Sequence, residues 1–152
     1  MKYECTLYRQ EAQPVLSIRR RASVETLPGV LGQAYGAIGA YLGELGEQPA
    51  GAPFTAYYNM DMQDLDLEIG FPVGRELPAR GEIQAVHMPA GDYASVLHEG
   101  PHTQLTAAYD ALTEFVQKQN RTPTGVAYEF YLNSPVEVPE QELKTQVVFP
   151  LA

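Results

Sequence analysis

Leu65-Asp66-Leu67-Glu68-Ile69-Gly70-Phe71-Pro72-Val73 decides the fold. Leu65, Leu67, Ile69 and Phe71 alternate with Asp66, Glu68 and Gly70, the period-two pattern of a strand with one face on a core. Its closing Phe71-Pro72-Val73 returns 78 residues later as Phe149-Pro150-Leu151. Upstream, Ala34-Tyr35-Gly36-Ala37-Ile38 returns 74 residues later as Ala108-Tyr109-Asp110-Ala111-Leu112. Between these markers each half holds an aromatic segment, Tyr57-Tyr58 in the first and Tyr128-Glu129-Phe130-Tyr131 in the second. Overlaying the two segments sets Tyr57 against Glu129, so the repeat differs in charge at that position.

Working outward, residues 3–9 and 14–21 read as strands separated by a break at Pro14. A helix starts near Thr26 and Pro28 and runs to about Leu45, with Leu27, Leu31, Ala34, Ile38 and Leu42 on one stripe. Phe54 to Asn59 is a short strand. After a loop with Pro78 and Gly81, Ile83 to Met88 and Asp92 to His98 read as a hairpin across Pro89-Ala90-Gly91. A second helix covers about Pro101 to Gln119, with Leu105, Ala108, Tyr109, Leu112 and Val116 as its stripe. Val126 to Leu132 and Leu143 to Phe149 close the chain as strands. Each half, about residues 1–74 and 82–152, is therefore β-β-α-β-β. The expected fold is α+β: a duplicated, pseudo-two-fold module in one domain, with antiparallel sheets and two long helices packed on one side.

A length of 152 residues suits one domain with a substantial core. The net charge of −9 argues against direct nucleic-acid binding, which needs clustered Lys and Arg. Cys5 is the sole cysteine, so an internal disulfide is excluded. Met1-Lys2-Tyr3-Glu4 lacks the apolar core of a signal peptide, and no apolar run is long enough to span a bilayer. These features point to a cytoplasmic protein.

His98-Glu99-Gly100-Pro101-His102 matches the zinc-protease spacing, but Gly100-Pro101 prevents both histidines from sharing one helix face. It reads instead as a strand entering a helix, and no metal or cofactor is expected. Gly32, Gly36, Gly39 and Gly43 fall on one face of the first helix, either an undemanding exposed face or a close-packed contact. In the segment Tyr128 to Leu132, Glu129 and Tyr131 share one strand face. The other, more apolar face (Tyr128, Phe130, Leu132) is expected to meet the helices. Glu129 is then either a surface carboxylate or part of a tyrosine-lined cleft, where poor hydration would raise its pKa and attract cationic aromatic molecules.

Taken in order, the motifs resemble the GyrI-like small-molecule-binding family, related to effector-binding domains of AraC- and MerR-type regulators. The pieces are Tyr57-Tyr58-Asn59, Glu68-Ile69-Gly70-Phe71-Pro72-Val73, His98-Glu99-Gly100-Pro101, Ala108-Tyr109, Tyr128-Glu129-Phe130-Tyr131-Leu132-Asn133-Ser134-Pro135, and Thr145 ahead of Phe149-Pro150-Leu151. The chain departs from the family at His102, where an aromatic residue is frequent, and at Tyr128, where tryptophan is frequent. The resemblance implies a central ligand cleft with an acidic contact at Glu129; the candidate ligand-binding set is Glu129, Tyr57, Tyr131, Glu68 and Tyr93. No helix-turn-helix precedes these motifs, so a freestanding member is expected, and a tyrosine-lined pocket around a carboxylate would favour lipophilic, cationic or aromatic compounds. Two alternatives stay open. One is hydrolysis of cyclopropane-type alkylating compounds, with Glu129 as general base and Tyr57 as hydrogen-bond donor. The other is a protein-interaction role with a partner such as DNA gyrase.

Overall fold

The computed structural model describes residues 3–152; Met1 and Lys2 of the amino-terminal stretch considered above lie outside the described residues. Eight strands and two long helices follow in the order β1 (Cys5–Gln10), β2 (Gln13–Ala22), α1 (Leu27–Leu45), β3 (Phe54–Tyr57), β4 (Leu65–Pro72), β5 (Gln84–Met88), β6 (Gly91–Glu99), α2 (Leu105–Lys118), β7 (Ala127–Tyr131) and β8 (Lys144–Pro150). The order β-β-α-β-β thus occurs twice, in an α+β chain whose paired strands are antiparallel. The chain forms two compact units, one from the segment up to Gln10 with Gly91–Ala152, the other from Glu11–Ala90.

In the Glu11–Ala90 unit the strands lie in the order β3-β4-β2-β5. The alternation read in residues 65–71 holds: Leu65, Leu67 and Ile69 are buried under α1 with Ile38 and Leu42, beside Leu16 and Ile18 of β2. Thr55 and Tyr57 pair with Ile69 and Leu67, so they share the α1 side of the sheet. Glu68 lies on the opposite side. Gly70 is required by close packing, since a Cβ there would sit 2.3 Å from the Leu16 carbonyl oxygen. Thr26 precedes α1 but gives it no side-chain cap; its hydroxyl bonds Ser23 instead. The glycine face of α1 is open, with nothing within 4 Å of a Cβ added at Gly32, Gly36, Gly39 or Gly43.

The other unit has the order β1-β6-β8-β7, with α2 packed on one face over Ala94, Val96, Ala127, Val147 and Phe149. Its second helix begins later than expected: His102–Gln104 form a separate 3-10 turn before α2. No helix among the described residues is long and apolar enough to cross a membrane.

The hairpin expected across Pro89-Ala90-Gly91 does not form. β5 pairs with β2, and β6 pairs with β1. A two-residue hairpin loop needs positive φ at its first central residue, which the proline ring forbids at Pro89. Gly91 has φ +152°, outside the left-handed conformation that a three-residue bulged loop would use. Local turn chemistry therefore sends the two strands to different partners.

Candidate functional site

β7 positions the acidic residue. Glu129 pairs with Val147, whose side chain lies in the core beneath α2, so Glu129 points to the α2 side. This reverses the expectation that Glu129 faces away from the helices. Ala127 sets the register: it packs under α2, and alternation carries Glu129 and Tyr131 to the same face. Tyr128 and Phe130 occupy the other face and stack on each other, with centroids 6.2 Å apart. The more apolar set was the wrong guide because α2 brings a tyrosine hydroxyl, rather than a wholly apolar stripe, to this strand.

That hydroxyl belongs to Tyr109, which donates a short hydrogen bond to Glu129 Oε2. Tyr131 donates to Oε1 at 2.9 Å. Tyr109 leans on Phe149 (centroids 5.9 Å apart), and the ring of His102 lies 5.6 Å from that of Tyr131. Glu129 is only 8% exposed. Burial pushes its carboxyl above the ordinary range, opposed by the hydrogen bonds from Tyr109 and Tyr131 and by positive charge on His102. Among the described residues no lysine or arginine pairs with it. The carboxyl is thus held by two tyrosine hydroxyls rather than by an ion pair with lysine or arginine.

The turn leading into the site is built by the His98–His102 segment. His98 is fully buried; its Nε2–H donates to the Pro101 carbonyl at 3.1 Å, which leaves Nδ1 to accept from the Tyr3 hydroxyl at 2.9 Å. Gly100 takes φ +135° and its N–H donates to the Leu143 carbonyl. Together these fix Pro101 and set His102 beside Tyr131. Among the described residues no group of three or more His, Cys, Asp or Glu side chains is placed to hold a metal ion.

The repeat register also differs from the overlay of Tyr57 on Glu129. Glu129 pairs with Val147 and Thr55 with Ile69, and the closing strands β8 and β4 match at Phe149 and Phe71. Thr55 is therefore the counterpart of Glu129, and Tyr57 that of Tyr131. The helices agree. Tyr35, counterpart of Tyr109, donates to the Phe54 carbonyl at 2.8 Å and lies 3.0 Å from the Thr55 hydroxyl.

Of the remaining candidates, Glu68 is buried on the face of its unit away from α1. It accepts from Ser17 at 2.6 Å and Tyr58 at 2.5 Å, with Arg19 stacked 4.2 Å over the Tyr58 ring. Tyr93 is buried on the face of its unit away from α2, stacked on Tyr8 at 5.8 Å. Burial raises the phenol of Tyr93, and raises that of Tyr8 to about 12 with help from Tyr93. The structure thus gathers Glu129 and Tyr131 and adds Tyr109, which the sequence reading placed in the stripe of the second helix, and His102, which it placed where a strand enters that helix. One signal pointed to Tyr109: Tyr35 and Tyr109 are 74 residues apart, the same offset as Thr55 and Glu129.

A family model for the GyrI-like small molecule binding domain matches residues 3–152. The EcmrR C-terminal domain matches with TM-score 0.78 and 21% identity, covering 100% of this chain and 99% of that one. EcmrR in a complex with DNA gives TM-score 0.83 at 22% identity over 98% of this chain, which spans 57% of that regulator's length. A hydrolase from Listeria innocua gives 0.70 at 13% identity, over 98% of this chain and 92% of that one. SAV2435 bound to tetraphenylphosphonium gives 0.69 at 10%, over 100% and 94%. At these identities the likeness to solved structures establishes the fold alone. No curated protein matches the chain significantly.

Proposed function

Because this chain belongs to the family of GyrI-like small-molecule-binding domains, we propose that it binds lipophilic cations, with Glu129 as the charged contact. The observation that carries this reading is a carboxylate only 8% exposed, held by two tyrosine hydroxyls and paired with no lysine or arginine among the described residues. A buried charge without a counter-charge is costly, and an incoming cation relieves that cost while its apolar arms meet tyrosine faces. Tyr131 and Tyr109 hold the carboxylate before ligand arrives, which lowers the ordering cost of binding. The similarity to SAV2435, which binds tetraphenylphosphonium, supports the ligand class. The test is calorimetric titration with tetraphenylphosphonium: Glu129→Gln should weaken binding by about 1–3 kcal/mol, and equal affinity in wild type and variant would sink the reading.

A second reading, hydrolysis of cyclopropane-type alkylators, is favoured by one observation. Burial raises the Glu129 carboxyl, which makes it a stronger base than an ordinary carboxylate. In that reading Glu129 takes a proton from water, the water oxygen bonds to a ring carbon, and the electron pair of the broken carbon–carbon bond develops as an oxyanion on the alkylator's conjugated carbonyl. A ring-opened water adduct, formed faster by wild type than by Glu129→Gln, is the expected product; equal slow background in both would exclude it.

A further inference from the structure

We propose that His102 is a specificity-determining residue that sets the charge preference of the Glu129 site: its neutral form admits a cationic ligand, and its protonated form disfavours one. The inference rests on the reading of Glu129 as the ligand's charged contact. His102 is exposed, in the 3-10 turn ahead of α2, with its ring 5.6 Å from that of Tyr131, whose hydroxyl is 2.9 Å from Glu129. A cation seated at the carboxylate would thus stand about one tyrosine ring away from the imidazole. Proton and ligand would compete to neutralise one carboxylate.

The turn is built to keep the imidazole there. Pro101 cannot donate a backbone hydrogen bond, and its carbonyl is held by the buried His98, itself held by Tyr3. The titratable groups converging on this spot are Glu129 and Tyr131 from β7, Tyr109 from α2, and His98 from β6 behind Pro101. Glu99 and Lys144 pair with each other across β6 and β8 on the opposite sheet face. His98 has both ring nitrogens engaged, and the two tyrosines are neutral donors. Of the residue types gathered here, histidine is the one that generally serves as a charge switch near physiological pH.

The sign follows from the charges. With His102 neutral and Glu129 ionised, the site carries one net negative charge. With His102 protonated it carries none, and a cation gains less. Coulomb's law across this distance at a partly solvated site gives an affinity loss of about threefold to tenfold, shrinking as salt is added.

The experiment titrates the full chain by calorimetry with tetraphenylphosphonium and with triphenylphosphine oxide, a neutral molecule with the same aromatic arms. Both are measured at pH 8 and pH 6 in low salt. Wild type should bind the cation about threefold to tenfold more weakly at pH 6, with the oxide unchanged. His102→Gln should flatten the cation's pH dependence, which separates this effect from titration of Glu129. His102→Lys, charged at both pH values, should bind the cation at pH 8 as weakly as wild type does at pH 6. Cation binding that needs Glu129 but is unaltered by His102→Lys overturns this inference alone. Cation binding unaltered by Glu129→Gln overturns the underlying reading, and this inference with it.

Discussion

Replacing Glu129 with glutamine should separate what the carboxylate does for binding from what it costs the fold. Burial raises its carboxyl in the folded state, so between the unfolded value and the raised folded value the native state holds more protons. Stability then falls as pH rises through that window, by about 1.4 kcal/mol for each unit separating the two values. Glutamine does not ionise, so the variant escapes that loss. It keeps one amide oxygen to accept from a tyrosine hydroxyl, and the neutral part of the hydrogen-bond change cancels when two pH values are compared. Urea unfolding at pH 4 and pH 8 should therefore show the variant gaining on wild type at the higher pH. In the same preparation, tetraphenylphosphonium binding should weaken by about 1–3 kcal/mol, the range for losing a charged contact. A variant that follows the wild-type pH dependence in parallel would show that Glu129 is not a strained buried charge. The argument for a cationic ligand would then lose its foundation.

Other substitutions probe neighbouring claims. Thr145 Oγ1 is fully buried and has no hydrogen-bond partner among the described residues; Thr145→Val should be neutral or stabilise by up to about 1 kcal/mol in urea unfolding. A clear loss would mean that the hydroxyl has a partner in solution. Gly70→Ala drives a Cβ to 2.3 Å from the Leu16 carbonyl and should cost at least about 2 kcal/mol of stability, as overpacking in a core strand does. Thermal denaturation near wild type would refute that packing. Gly36→Ala on the open face of α1 should stabilise by about 0.5–1 kcal/mol; destabilisation would reveal a close contact on that face.

The two helices and most strand positions were legible because their signals are local and repeated. The alternation in residues 65–71 survives as β4, and α1 ends at Leu45 as its stripe implies. Strand partners were not legible in the same way. Pro89-Ala90-Gly91 has hairpin composition, but composition does not report that Pro89 excludes the positive φ a tight loop needs. Only the pairing of β5 with β2 and of β6 with β1 shows where those edges are satisfied.

The site was half legible, and the missing half lay in register. Aromatic doublets invited an overlay of Tyr57 on Glu129, but strand pairing fixes the correspondence two residues away, at Thr55. The helix tyrosines then make sense as a pair. Tyr35 bonds a threonine and a backbone carbonyl; Tyr109, in the equivalent place, bonds a carboxylate. A hydroxyl aimed at a strand is thus a recurring part of the framework, present even where no charge awaits it. Given that part, one residue suffices to differentiate the repeats. Glutamate in place of threonine converts a buried neutral hydrogen bond into a buried charge with a donor already aimed at it. This accounts for the tolerance of an acid in a tightly packed layer: the framework supplies the donors, and in the proposed function the remaining charge is what a cationic ligand meets.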